Sequence, residues 1–255
     1  MKEIDNKQEW SASEYSKNAS FVAEYGSSLL DILDPNPNDF ILDLGCGDGV
    51  LTKKIADKGA RVIGIDTSPS LLAASRVLGL EVYEMDGQAI NFDRQFTAVF
   101  TNAALHWMPN AEAVLDGVSR VICPGGRFVG EFGGHGNVAA IATAIISGLK
   151  SQNIDNATQR FPWFFPSKDY YCNLLEKHGF KVEKILLTPR PTILPTGISG
   201  WLETFANPFF KGVSKEKRTA ALEHAINILE TSLCDEKGIW TADYVRLRFV
   251  ATKSD

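Results

Sequence analysis

Residues Phe40 to Gly49 read Phe-Ile-Leu-Asp-Leu-Gly-Cys-Gly-Asp-Gly, and this stretch constrains the fold more tightly than any other. A short apolar run carrying Asp43 breaks into three glycines at alternate positions, Gly45, Gly47 and Gly49, and a helical pattern begins near Val50. The order predicts a strand, a tight turn and a helix start. Glycine serves where a backbone turns sharply or approaches a ligand with no Cβ in the way, and a helix start presents N–H groups without intrahelical partners. Such a turn suits a small molecule.

The glycine spacing narrows the kind of molecule. Gly-x-Gly-x-x-Gly at a strand–helix junction is the dinucleotide fingerprint, whereas here the third glycine arrives one residue early and an acid precedes the first. Asp43-x-Gly45-x-Gly47-x-Gly49 resembles motif I of the class I S-adenosylmethionine (SAM) methyltransferases, where the turn packs against the methionine part of a cationic sulfonium. On that resemblance Gly45, Cys46 and Gly47 contact the cofactor, and Asp43 suits its ammonium group or a water bound to it. SAM has no pyrophosphate, which Asp43 would repel. An ordinary glycine-rich turn, or a nicotinamide or flavin site, are the competing readings.

Bulk properties remove other classes. A chain of 255 residues, 44% apolar and 22% charged, is an ordinary globular composition, long enough for one large domain or a domain with a lid. The net charge of -5 gives no electrostatic footprint for a nucleic-acid backbone, so no nucleic-acid partner is expected. Cys46, Cys123, Cys172 and Cys234 are scattered without Cys-x-x-Cys spacing, which supports neither a zinc site nor a disulfide framework. Met1 to Trp10 is polar, unlike a secretory signal, and no apolar run approaches the ~18 residues of a membrane span. A cytoplasmic protein with no membrane partner is the expectation.

Along the chain, Asn18 to Leu33 has helical spacing and is read as a cover for the mouth of the site; Trp10 and Tyr15 ahead of it either share that role or pack on the core surface. Arg61 to Asp66 is a buried strand ending in an acid, and Asp66 lies ~20 residues past the first glycine, where a carboxylate accepts both ribose hydroxyls of NAD or SAM. Thr67 sits beside it as a cofactor contact. Glu81 to Met85 is the third strand, closed by Asp86-Gly87-Gln88. In the methyltransferase resemblance an acid here meets the adenine amino group and the next backbone N–H groups read the ring, which assigns Asp86, Gly87 and Gln88; a plain turn is the alternative.

Phe96 to Asn102 is the fourth strand and runs into Ala-Ala-Leu-His-Trp-Met-Pro. Asn102, Ala103, Trp107, Pro109 and Asn110 resemble the trans-aconitate and malonyl-carrier-protein methyltransferase branch of the type 11 methyltransferases. That resemblance adds Asn102, Ala103 and Trp107 to the cofactor contacts. His106 stands where members of the branch often carry Gln, and Ala103-Ala104 differs from the Pro-Pro-aromatic of DNA and protein-amide N-methyltransferases.

Five strands alternating with helices over Phe40 to Phe132 predict a parallel, doubly wound α/β sheet with right-handed crossovers and its ligand at the carboxyl ends of the strands. Asp43, Asp66, Asp86 and Asn102 all fall at or near such ends. The resemblance implies a Rossmann-like seven-stranded sheet, mostly parallel with the last strand antiparallel, plus helical cap insertions. A single domain over 1–255 is expected, with an N-terminal lid at 1–33, a core at about 34–133, 180–196 and 241–253, and cap segments at about 134–179 and 197–240. Lys181 to about Leu187 is the sixth strand, Pro189 to Pro208 is irregular, and Tyr244 to Thr252 is the last strand. Phe161-Pro-Trp163-Phe-Phe165-Pro is either a lid over substrate or an anchor for the preceding helix.

The expected function is SAM-dependent methylation of a small-molecule acceptor, on an oxygen of a carboxylate. Alternatives are C- or O-methylation of a quinone- or phenol-like metabolite, an NAD-binding oxidoreductase, and a SAM-binding protein without turnover. Tyr15, His106 and Glu131 are the catalytic candidates, with His135 and Trp107 near the methyl group. His106, just past the fourth strand, would be a general base or hydrogen-bond donor.

Overall fold

The computed structural model describes Gln8, Trp10 and residues 28–254 apart from residue 94. Residues 28–33 are helical; the rest of the helix expected from Asn18 lies outside the described residues, as does Tyr15. The strands are β1 (Phe40–Leu44), β2 (Arg61–Asp66), β3 (Glu81–Glu84), β4 (Phe96–Asn102), β5 (Ile122–Gly133), β6 (Phe180–Ile193) and β7 (Thr241–Lys253). They form one seven-stranded sheet in the order β3-β2-β1-β4-β5-β7-β6. Pairings from β3 through β5 are parallel, and β7 runs antiparallel to both β5 and β6. The strand order reverses between β1 and β4, which is where a doubly wound sheet opens a ligand crevice.

Helices α1 (Val50–Asp57), α2 (Pro69–Val77) and α3 (Ala111–Val121) are the crossovers between the parallel strands. Ser68 accepts the Leu71 N–H with Pro69 at the first helical position, and Asn110 accepts the Ala113 N–H, so both starts are capped as their sequences require. Neighbouring residues of β1 point to opposite faces, as a period of two dictates. Ile41 joins Leu33, Ile55 and Phe100 on one side, and Leu42 joins Phe96, Val118 and Phe128 on the other.

A third apolar cluster lies outside that sandwich. Helices α4 (Ala139–Ser151), α6 (Gly197–Phe205) and α7 (Lys215–Leu233) pack together around Ile145, Trp201, Phe209 and Ala225. Helix α5 (Lys168–Lys177), capped by Ser167, instead packs Tyr171 and Leu175 into the sheet core. Trp163 both lines the crevice and packs on Phe209, with ring centroids 5.3 Å apart, so the aromatic-proline stretch is wall and anchor together.

Two boundaries differ from the sequence reading. β6 continues through Pro189 and Pro191 to Ile193, where an irregular segment is expected. It is an edge strand, so a missing N–H can face outward without breaking the ladder to β7. β5 starts at Ile122 rather than Arg127, because Cys123 to Gly126 bulge out while the pairing jumps from Phe96↔Ile122 to Ala98↔Arg127.

Candidate active site

The carboxyl ends of β1, β2 and β4 face the α4 and α6 layer across an open crevice. Of the residues singled out from the sequence, Gly45, Gly47, Asp66, Thr67, Gly87, Asn102, Ala103, His106 and Trp107 line it. Asp43, Cys46, Asp86, Gln88, Glu131 and His135 do not.

The glycine turn is held from below. Gly45 and Cys46 donate their N–H groups to the Ile65 carbonyl at 2.9 and 3.0 Å. Gly47 donates to Asp66 Oδ2 at 3.0 Å, while Asp66 Oδ1 accepts the Ser68 N–H at 2.8 Å. The Asp66 carboxylate thereby locks the β1 and β2 turns together. Burial pushes its pKa up against these hydrogen bonds. A Cβ on Gly45 would stand 2.2 Å from the Ala104 Cβ, whereas a Cβ on Gly47 would meet no atom within 4 Å, because Gly47 faces the opening.

Asp43 sits behind this turn. It is 2% exposed and its Oδ2 accepts the Thr52 hydroxyl at 2.6 Å, tying β1 to the first turn of α1. Burial, with the Asp66 charge beside it, pushes the carboxyl up to about 7. Cys46 is likewise buried against Gly64, and burial together with the Asp43 and Asp66 carboxylates raises its thiol far above the usual range. At the end of β3, Asp86 accepts the Gln88 N–H at 2.9 Å, and Gln88 Oε1 accepts the Asn110 N–H at 2.9 Å. These side chains shape the rim while Gly87 faces the crevice.

Glu131 has a different surrounding from the one its sequence position suggested. It is 2% exposed; Arg190 grips both carboxylate oxygens, and Arg248 Nε reaches Oε2 at 2.6 Å. Burial pushes its pKa up, but the two guanidiniums outweigh burial and hold it below the usual value. Glu131 is thus a tie between β5, β6 and β7. His135 is exposed on the loop after β5.

The far end of the crevice is aromatic. Trp107, Trp163, Phe165, Trp201, Phe205 and Tyr244 line it, with Trp163 stacked on Phe165 at 5.5 Å and Trp201 donating its indole N–H to the Tyr244 hydroxyl at 2.6 Å. Trp10 closes over this wall edge-on to Trp107 at 5.1 Å, and its carbonyl accepts the Ser70 hydroxyl at 2.8 Å. His106 is 8% exposed among these rings; its Nδ1 accepts the Gly133 N–H at 3.3 Å. Burial, and then the charge of Arg246, lower its pKa well below the ordinary value, so the imidazole is neutral at pH 7.

Arg246 was not legible as a site residue. It is 7% exposed, its guanidinium lies 4.5 Å over the Tyr244 ring, and it is the one Lys or Arg among the described residues that line the crevice. The sequence signal was an arginine in phase with Ala242 and Tyr244, both buried residues of β7. Two non-glycine residues at the crevice adopt left-handed backbone, Ala103 at φ 56 and Val138 at φ 47. For a β-branched valine this is a strained conformation of the kind that gathers at functional sites. Among the described residues no group of His, Cys, Asp and Glu could hold a metal ion.

The family described as methyltransferase domain matches residues 42–130. An uncharacterized methyltransferase of Schizosaccharomyces pombe is 40% identical, over 96% of this chain and 98% of its own length. A trans-aconitate 2-methyltransferase of Methylobacterium nodulans is 30% identical over 46% of this chain and 47% of its own length, a partial match. In fold, an S-adenosylmethionine-dependent methyltransferase from Mesorhizobium loti superposes with a TM-score of 0.55 at 17% identity, covering 91% of this chain and 98% of that one.

Proposed function

The chain belongs to the S-adenosylmethionine-dependent methyltransferases, and from that premise we propose that it methylates an oxygen of a carboxylate on a small molecule. SAM is the cofactor, and it supplies a methyl group on a sulfonium that is already a good leaving group. The residues fit it. The cradle at Gly47 is one that a Cβ would fill. Each Asp66 oxygen accepts one backbone N–H, and a carboxylate has further lone pairs for a ribose diol. In this reading Gly45, Gly47, Asp66, Thr67, Gly87, Asn102 and Ala103 hold the cofactor, while Asp43, Cys46, Asp86 and Gln88 support the turns around it.

The observation that carries the carboxylate is Arg246, a buried guanidinium in an otherwise aromatic wall. A guanidinium matches a carboxylate with two parallel hydrogen bonds. The Methylobacterium relative is named for a carboxylate acceptor as well. His106, neutral and accepting at Nδ1, carries its proton on Nε2 and acts as a donor that orients the acceptor. A carboxylate reacts without losing a proton, so positioning alone can supply much of the rate, up to ~7–11 kcal/mol in well-oriented cases. A phenol would suit the rings but needs a base.

Incubating the protein with SAM and a library of small acids, phenols and quinones, and measuring released S-adenosylhomocysteine, tests this reading. Release is expected with acids; release with phenols or quinones alone would overturn it.

A further inference from the structure

We infer that Asn137 is a further acceptor-binding residue, which with His106 forms a pair of hydrogen-bond donors for an oxygen that can only accept; this rests on the carboxylate reading above. Asn137 is 4% exposed and lines the crevice. Two backbone N–H groups decide what the pair offers. The Val245 N–H donates to Asn137 Oδ1 at 2.9 Å, so the amide oxygen is turned to β7 and the NH2 end is left over. The Gly133 N–H donates to His106 Nδ1 at 3.3 Å, which leaves the imidazole proton on Nε2. Among the described residues, the side-chain polar atoms both sealed in and unpartnered are Gln8 Oε1, Arg160 Nε, Trp163 Nε1 and Asp243 Oδ1. Neither Asn137 Nδ2 nor His106 Nε2 is one of them, and neither makes a hydrogen bond within the described residues, so both N–H groups open to the crevice.

The pair meets at Gly133, the last residue of β5. A Cβ there would stand 2.4 Å from Phe165 Cε1 and 2.7 Å from Asn137 Nδ2, so the bare glycine lets both side chains close over the backbone whose N–H holds His106. The Phe165 and His106 rings lie 5.7 Å apart. Imidazole, ring and amide thus surround one spot, and it lies at the end of β5, two strands along the sheet from the glycine turn after β1. That is the acceptor's side of the crevice.

The amide is also fixed in advance. Gly134 donates to the Val245 carbonyl at 3.0 Å, Val138 to the Asp243 carbonyl at 2.9 Å and Ala140 to Asp243 Oδ2 at 2.8 Å, so the chain on both sides of Asn137 is pinned to β7. Val138 keeps its left-handed backbone, φ 47, inside that clamp. Strain of this kind persists where neighbours over-determine it, and it gathers at ligand sites. Donors already held in place lose little freedom when an oxygen arrives. A carboxylate oxygen, with lone pairs and no hydrogen, can satisfy both N–H groups.

Calorimetric titration of trans-cinnamate, a flat acid suited to the ring-lined wall, and of its neutral amide into the full-length protein saturated with S-adenosylhomocysteine tests the pair. Asn137→Asp keeps an acceptor for the Val245 N–H but replaces the donor with a carboxylate oxygen, and it should weaken cinnamate binding at least about tenfold. Asn137→Ala removes the donor without adding charge and should weaken cinnamate as well, which separates loss of the donor from an effect of the new charge on folding. In both variants the affinity for S-adenosylhomocysteine should stay within about threefold of the unaltered protein. Unchanged cinnamate binding in Asn137→Asp would overturn the role of Asn137 while leaving the carboxylate reading intact. A loss of S-adenosylhomocysteine affinity in its place would make Asn137 a cofactor contact and overturn the inference too. Amide binding as tightly as cinnamate in the unaltered protein would overturn the carboxylate reading itself, and absence of cinnamate binding at millimolar concentration would overturn the donor pair as a carboxylate site.

Discussion

The Nδ1 of His106 accepts the backbone N–H of Gly133 at 3.3 Å, and that bond fixes what the ring offers the crevice. A neutral imidazole whose Nδ1 accepts has its proton on Nε2 and is a donor there.

A donor role has a kinetic signature that a base does not. With a carboxylate acceptor, kcat/KM should be flat between about pH 6 and 9, since no proton is removed from the acceptor. His106→Ala should lower kcat/KM by roughly tenfold, the value of about one hydrogen bond, without changing the profile. A rise in rate through a single pKa that disappears in the variant would identify His106 as a base instead.

Asp43 should leave a mark on stability rather than on chemistry. Its carboxyl is pushed up to about 7 in the fold by burial and the neighbouring Asp66 charge, against 3.8 ordinarily. Between those values the folded chain binds more protons than the unfolded one, so this contribution to stability falls as pH rises through the window. Asp43→Asn, which keeps an acceptor for Thr52, should remove that slope and gain on the order of 2–4 kcal/mol at pH 8. Urea unfolding of both proteins at pH 5 and pH 8 checks it through the difference between them.

The first two glycines of the turn should fail in different ways. Gly45→Ala drives a Cβ to 2.2 Å from the Ala104 Cβ at φ 78, so loss of about 2–4 kcal/mol of folding stability is expected. Gly47→Ala, at φ 56 with open space, should cost about 1–2 kcal/mol in stability and weaken SAM binding more. Thermal melts with and without SAM separate the two.

Asp66 joins the fold to the proposed ribose contact. Asp66→Ala removes the acceptor for the Gly47 and Ser68 N–H groups and should weaken SAM binding by about 1–3 kcal/mol. Calorimetric titration of SAM reads this directly, and an unchanged dissociation constant would remove Asp66 from the cofactor site.

The parallel half of the molecule was open to reading because its signals are local. A glycine turn after an apolar strand, an acid at the end of Arg61 to Asp66 and capping residues at Ser68 and Asn110 each act within a few residues of themselves. The rest depends on partners far away in sequence. Glu131 sits at a strand end beside a glycine cluster, as a catalytic acid would, and nothing nearby shows that Arg190 and Arg248 will enclose it. Pro189 and Pro191 argue against a strand until β6 is known to be an edge. Arg246 shares its phase on β7 with Arg248 as well as with Ala242 and Tyr244, so alternation alone leaves that face undecided, and the α4 and α6 layer above β7 makes it interior.

The alkali lability of the transferred methyl group tests the central claim most directly. With isotopically labelled SAM and an acceptor that supports turnover, mild base should release the label as methanol in an amount equal to the S-adenosylhomocysteine formed, as a methyl ester requires. Label that stays with the product under base, as in a phenol ether or a carbon-methylated ring, would contradict carboxylate methylation.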